Sequence, residues 1–453
     1  MVGREGALEI LGQALSCLAQ AGADAGEVVL LSERDGLTRF ANSQIHQSSD
    51  VEDVRLQLKA VVDAKEGWAT ANGVNGEAMA RAARAACDIA RVQPEGDSGV
   101  EPAEPQAYED AETFDEPTAA AGPEARADAV ARAVVRADRH RLIASGALRT
   151  RAMEVSYANS NGAMAYARWT GASFKAVVLT DLGPDAGSGY AEAAACRIGD
   201  IDVESLGEEA VALCLGTRGP DDLEPGEYVV VLKHAAVATA VELLAMMGAS
   251  GQEYVEGRSY ASGRLGQRIT SELVTIADDW HAPGMFALPF DFQGMPRQAV
   301  RLIDRGVAAG VLHDRASAAL AGARSTGHGL SGGMARGGHP FHLTMAPGDS
   351  SVEEMVSSVK RGVLVTRFNY ANPVHPVKTV FTGMTKDGTF LIENGELVRP
   401  LRNLRFTDSL LDGVFAKVSR LSRDVQMFPD ELGPGMCSAP AILTRLNFTG
   451  SSV

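Results

Sequence analysis

Residues 53–63, "DVRLQLKAVVD", set Val54, Leu56 and Leu58 against Arg55, Gln57 and Lys59. Successive side chains of a strand point to opposite faces, so this alternation predicts a half-buried β-strand. Working outward, "EVVLLSE" (27–33) is a second short β-rich run, and "GLTRFANSQIHQ" (36–47) supplies another strand with a polar turn. Residues 5–22 place Leu8, Leu11, Leu15 and Leu18 at spacings of three and four, one face of a helix. "GEAMARAARAACDIARV" (76–92) is built of good helix formers. Helix, β-meander and helix together predict an α+β N-terminal domain.

Residues 93–124 are dense in Pro, Glu, Asp, Gly and Ala and are expected as an acidic loop or linker. A helix resumes at "PEARADAVARAVVRADRH" (123–140), and from about residue 141 strand-like runs dominate, broken by "NSNG". Residues 305–340 are rich in Gly and Ala, and short strands return in "GVLVTRFNY", "TFLIENGELVRP" and "APAILTRLNF". No internal repeat is visible. The expected fold class is α+β. Its divisions are an N-terminal α+β domain (1–125, with the acidic loop 93–124), a central β-rich segment (126–225) and a larger β-rich C-terminal domain (226–453).

The chain has 453 residues, 45% hydrophobic and 22% charged, a globular composition long enough for two or three domains. Its net charge of -16 argues against a nucleic-acid surface, which takes clustered Lys and Arg. Five scattered cysteines without a CxxC pair fit a reduced, cytoplasmic chain better than a disulfide framework. The N-terminal stretch reads as an amphipathic helix rather than a signal peptide. No run approaches the roughly 18 apolar residues of a membrane span.

The most helix-like apolar run of the second half is "HAAVATAVELLAMMG" (234–248), which opens with His234 and carries the lone acid Glu242. Eight residues separate them, roughly 12 Å at 1.5 Å per residue, so they cannot share a metal on an unbroken helix. Among the nine histidines, His339 and His342 in "GGHPFH" are close, but Pro340 lies between them and no acid or Cys is near in sequence. A zinc site takes three or four converging N, S or O ligands, and scattered structural histidines are the better reading. Ser325 and His328 in "RSTGHG" are a nucleophile–base candidate, but a turn is the better reading, since loop neighbours seldom reach triad geometry. "SGGMARGG" (331–338) lacks phosphate-loop spacing, Cys437 has no adjacent cation to activate it, and Asp278, Asp279 and Asp291 read as turn acids before paired carboxylates.

Several stretches together resemble one family. "LPFDFQGMPRQAVRLIDRGVAAGVLHDRASAALAGARSTGHG" (288–329) carries most of the likeness, extended by "TRFANSQIHQ" (38–47), residues 254–279, "VKRGVLVT" (359–366) and "FLIENGELVRPLRN" (390–403). These resemble the TldD/PmbA family, and the likeness implies its fold of barrel-forming sheets. The family's TldD branch carries HExxxH on a helix after a strand of the "YVVVLK" (228–233) type. At that place this chain reads Val241-Glu242-Leu243-Leu244-Ala245-Met246, so Val241 and Met246 replace both histidines, and no slip within 235–252 recovers one. Neither side chain is a useful zinc ligand. "GPGMCSAPAILTRLNFTG" near the end resembles the TldE (PmbA)-type ending, so Cys437 is not a safe metal ligand. His328 stands where the family usually shows Asn, which leaves the role of the Gly/His-rich loop 327–342 open.

The resemblance therefore implies a TldE (PmbA)-like subunit without its own zinc or other cofactor, with Glu242 at a vestigial motif position as a leftover or helix-surface acid. Its implied partner is a TldD-like HExxxH subunit that holds zinc, in a heterodimer acting on extended peptides or modified-peptide amides. Strand-forming segments around 141–180 and 360–400 are the expected chamber wall. Two other classes stay open at this point: an independently active hydrolase or pathway enzyme with a repurposed zinc-free site, and a pure peptide-binding module.

Overall fold

The computed structural model describes residues 1–94, 101–181, 183, 186–331, 336–430 and 435–451. The N-terminal and central segments share one six-stranded antiparallel sheet. Its strands are β1 (Ala25–Ala41), β2 (Gln44–Val62), β3 (Lys65–Asn72), β4 (Ile143–Asn159), β5 (Met164–Leu179) and β6 (Ser188–Ala195), in spatial order β3-β2-β1-β4-β5-β6. The polar turn expected within 36–47 is the connection of β1 to β2, with Asn42 and Ser43 in the left-handed region.

Four helices cover one face: α1 (Arg4–Gln20), α2 (Gly76–Val92) and, after the short α3 (Glu116–Ala119), α4 (Pro123–Arg139) and α5 (Val203–Gly216). Leu56, Leu58 and Ala60 of β2 are buried under α1 and α2, as the alternation requires. The opposite face departs from expectation. Lys59, read as a solvent-facing residue, is buried beside Glu27 at 3.0 Å, because the C-terminal half covers part of that face too.

The element order is α1-β1-β2-β3-α2 followed by α4-β4-β5-β6-α5, two copies of one unit meeting where β1 pairs with β4. One close approach recurs in both. A Cβ on Gly67 of β3 would lie 2.0 Å from the Ala86 carbonyl oxygen and 2.4 Å from the Ala90 nitrogen of α2. On Gly189 of β6 it would lie 2.0 Å from the Ala210 oxygen and 2.6 Å from the Cys214 nitrogen of α5. Each third strand thus meets its helix through a glycine that no other residue replaces without moving backbone. The repeat was invisible in the sequence because packing selects residue size and polarity at each site, not identity.

The acidic segment 93–124, of which 95–100 lie outside the described residues, is held against the sheet and not a free linker. Its Ala103 carbonyl accepts from Asn159 Nδ2 at 2.7 Å, its Tyr108 hydroxyl donates to the Gly294 carbonyl at 2.8 Å, and Thr113 bridges to Trp169.

The C-terminal half holds β7 (Gly226–Leu232), α6 (His234–Met246), α7 (Gly251–Val255), β8 (Ile276–Asp278), β9 (Val300–Asp304), β10 (Val307–Ala308), α8 (Arg315–Ala321), β11 (His342–Met345), α9 (Val352–Ser357), β12 (Arg361–His375), β13 (Val380–Glu393), β14 (Glu396–Pro400), β15 (Leu404–Ser409), β16 (Arg420–Pro429) and β17 (Met436–Ser451). Strands β17, β15, β13, β12 and β7 pair in turn, and β7 pairs back onto β17, closing a barrel of five. Around α6 and the barrel strands lies the largest apolar core, including Val237, Val241, Leu244, Ile442 and Phe406. Among the described residues, no helix is long and apolar enough to cross a membrane.

Candidate functional site

Helix α6 follows β7 directly and is apolar nearly all round, so it sits inside the fold. Val241 is fully buried and packed in the core, while Met246 at the helix end is 42% exposed. Glu242 is 4% exposed, which corrects the expectation of a helix-surface acid. It borders a cavity of about 270 Å³ together with Thr239, Arg367 and Tyr370. Cys437 on β17 faces the same helix, its thiol near the Ala238 carbonyl at 3.9 Å, and burial followed by the nearby Glu242 charge pushes it far above the ordinary thiol range. His234 points elsewhere: its Nε2 lies 3.0 Å from Asp424 Oδ2, and burial lowers its pKa. Among the described residues no group of three or more His, Cys, Asp or Glu side chains is placed to hold a metal ion, and with Val241 and Met246 flanking Glu242 the helix does not fit Zn²⁺.

The other candidates are sorted by the tertiary structure. Asp278, His328 and His342, apart in sequence, converge in one fully buried cluster. Asp278 Oδ2 accepts from the backbone of Phe341 at 2.7 Å and His342 at 2.9 Å, and Oδ1 meets His328 Nε2 at 3.0 Å. Its carboxyl is held well below the usual carboxylate range although burial alone would raise it, because the His328 and His342 rings outweigh burial. Arg297, which sequence reasoning missed, lies 3.8 Å from Asp278 and over the Phe341 ring at 4.8 Å.

Asp291 is a turn acid, accepting from the backbone of Gln293, Met295 and Gly329, and burial raises its pKa to about 6. Asp279 caps the backbone of His281. Ser325 donates to the His313 carbonyl at 3.2 Å, whereas His328 turns to Asp278 and Thr326, so the two form no nucleophile–base pair. His339 packs edge-on against Phe341 while His342 enters the cluster. Residues 332–335 of the glycine-rich loop and 431–434 before Cys437 lie outside the described residues.

A second opening, of about 280 Å³, lies between the exposed part of the six-stranded sheet and the loops of the C-terminal half. Sheet register builds its floor: Met153 pairs with Trp169, Arg151 with Gly171 and Arg149 with Ser173, and paired residues share a face. Phe286, Phe292 and Phe341 form the roof. Trp169 stacks on Phe286 with centroids 4.9 Å apart. Beside it, Arg149 grips Asp35 with two hydrogen bonds of 2.7 and 2.6 Å, and Arg151 Nε lies 3.0 Å from Glu33. This floor comes from residues 149–173 of β4 and β5. A second buried charge group, Glu27 with Lys59, Arg315 and the Tyr157 hydroxyl, ties the sheet to α8. Glu27 stays ionised despite complete burial because the two cations outweigh desolvation.

This arrangement matches known sequences along its length. Residues 26–90, 109–215 and 225–450 match the family descriptions PmbA/TldA metallopeptidase domain 1, central domain and C-terminal domain. The chain belongs to the PmbA/TldD family. "Metalloprotease PmbA" of Escherichia coli is 24% identical over 92% of both chains. The "Metalloprotease TldD homolog" of Buchnera aphidicola is 28% identical over 52% of this chain and 49% of its own length, so the match spans about half of that relative. The crystal structure of TldE from Thermococcus kodakarensis superposes with a TM-score of 0.88 at 20% identity, covering 98% of this chain and all of that one, a likeness of fold. The PmbA/TldD fold therefore accounts for both the helix-backed sheet and the barrel.

Proposed function

We propose that this chain is the TldE-like, zinc-free subunit of a TldD/TldE-type heterodimeric peptidase working in the cytoplasm on peptides or modified-peptide amides. It lends wall and substrate-binding surface, and the metal belongs to an HExxxH-bearing partner. The observation that carries this reading is α6, where a peptidase motif would stand: the two residues at the histidine positions are Val241, locked in the core, and Met246, facing outward, with the buried Glu242 between them. None of the nine histidines in the chain is followed by Glu, which supports the same reading. So does the end-to-end match to a PmbA, beside a half-length match to TldD homologues.

The test is coexpression with an HExxxH-bearing homologue. The expected result is a 1:1 complex that cleaves an unstructured peptide and is silenced by chelation, with the zinc bound to the partner. Stoichiometric zinc in the isolated chain, with chelatable activity, would overturn the reading. Activity of the isolated chain without metal would favour the independent enzyme instead.

A further inference from the structure

We propose that the cavity between the six-stranded sheet and the C-terminal loops takes an aromatic or other bulky apolar side chain of an extended peptide, with a carboxylate of the same peptide beside it. The inference rests on the reading above that this surface receives substrate, and it names the class of substrate.

Room and lining set the first half. At about 280 Å³ the cavity exceeds the roughly 150 Å³ apolar void that admits benzene in a protein core. Its walls are predominantly apolar, and the Trp169–Phe286 stack, tilted by only 15°, offers an edge against which a third ring packs in offset or edge-on contact. Such a surface open to water is costly unless a ligand covers it.

Charge sets the second half. Three arginines line the cavity, Arg55, Arg149 and Arg151. Two are neutralised from within, Arg149 by Asp35 and Arg151 by Glu33. Among the described residues, Arg55 pairs with Asp53 alone, at 3.5 Å in a half-exposed pair, and its Nε is shielded from solvent without a hydrogen-bond partner. A shielded guanidinium N–H is costly when unpaired, and a carboxylate is the group that fits its planar fork. An apolar body with an adjacent carboxylate complements both features.

Isothermal titration calorimetry on the full chain tests this with the capped peptide Ac-Gly-Ser-Phe-Gly-Glu-Gly-NH₂ and its Phe→Gly and Glu→Gln forms. The Phe peptide binds at least about tenfold tighter than the Gly form, the scale expected for burying an aromatic side chain. Glu is favoured over Gln about fivefold, as one charge-assisted bond provides. Gly171→Leu fills the floor, since a Cβ there meets only the Ala195 oxygen, at 4.0 Å; it abolishes binding with an unchanged melting temperature. Arg55→Gln removes the Glu preference and keeps the Phe preference.

Equal binding of the Phe and Gly peptides, or unimpaired binding by Gly171→Leu, overturns the assignment. Binding of phenylacetate as tight as that of the peptide overturns the peptide class. If the Phe preference is absent while the chain still assembles with and activates an HExxxH-bearing homologue, the ligand class is wrong and the subunit reading stands. If the preference holds without assembly, the subunit reading is the one that fails.

Discussion

Acid should unfold this protein through His342, and the effect can be sized. The ring is fully buried, and neither nitrogen has a hydrogen-bond partner. Asp278 Oδ1 lies 3.8 Å from Nδ1, too far to bond, so desolvation dominates and drives the pKa from 6.5 to about 4. The folded chain therefore holds this ring neutral at a pH where the unfolded chain binds a proton. Stability is full above the unfolded value and falls with pH between 6.5 and about 4. At about 1.4 kcal/mol per unit, acidifying from about pH 7 to about pH 4.5 removes roughly 2 kcal/mol through this one group.

The carboxyl of Asp278, held below its ordinary 3.8, loses its contribution only at lower pH still, which keeps the two windows apart. Other buried rings, His328 and His234 among them, also have lowered values and push the same way, so the measurement is a difference. His342→Leu is compared with the unsubstituted chain by urea unfolding at about pH 7 and about pH 4.5, where m-values check two-state behaviour. At neutral pH the substitution should change stability by less than about 1 kcal/mol, because no hydrogen bond is lost. At the acid value the variant should retain roughly 2 kcal/mol more than the unsubstituted chain. An unchanged pH slope in the variant would refute the argument that a buried neutral ring is the cause.

Asp278→Ala should cost about 3–5 kcal/mol in denaturant unfolding, since it strands two backbone N–H groups and Arg297, and Asp278→Asn should cost less by keeping an acceptor. Gly67→Ala and Gly189→Ala should each lower stability by about 1–3 kcal/mol or more; a neutral result at either would refute the matched close approach of strand and helix. Arg126, fully buried between Asp50 and the Ala121 carbonyl, should cost about 3 kcal/mol on replacement by Met, read from the same melts. In the proposed complex with an HExxxH-bearing homologue, Glu242→Gln should leave turnover within about twofold, whereas a loss of 10²-fold or more would mark it as a working base.

Much of this molecule was readable from one-dimensional pattern. Leu8, Leu11 and Leu15 at helical spacing and Leu56 and Leu58 in alternation specify which face of each element is apolar, and those faces are the ones buried or packed against the core. The run 234–246 is apolar at most positions, which specifies an interior helix, and Val241 and Met246 on either side of its one acid are not imidazole ligands wherever it packs. Its one acid, Glu242, was read as a leftover or helix-surface acid because periodicity does not report a cavity beside a buried helix.

What the pattern cannot carry is the identity of whatever covers a polar face. Lys59 looked solvated until the C-terminal half closed over it, and Asp278 looked like a turn acid until His328, 50 residues on, reached it. Glu27 meets Arg315 across 288 residues, a distance at which neither charge leaves a local trace. The cavity is of the same kind, since its floor follows from strand register and its roof from loops more than 100 residues later. Local side-chain spacing determines the elements and their inward faces, because those depend on backbone periodicity alone. Which charges meet, and where space is left between two packed halves, is decided only when distant surfaces come together and water is excluded between them.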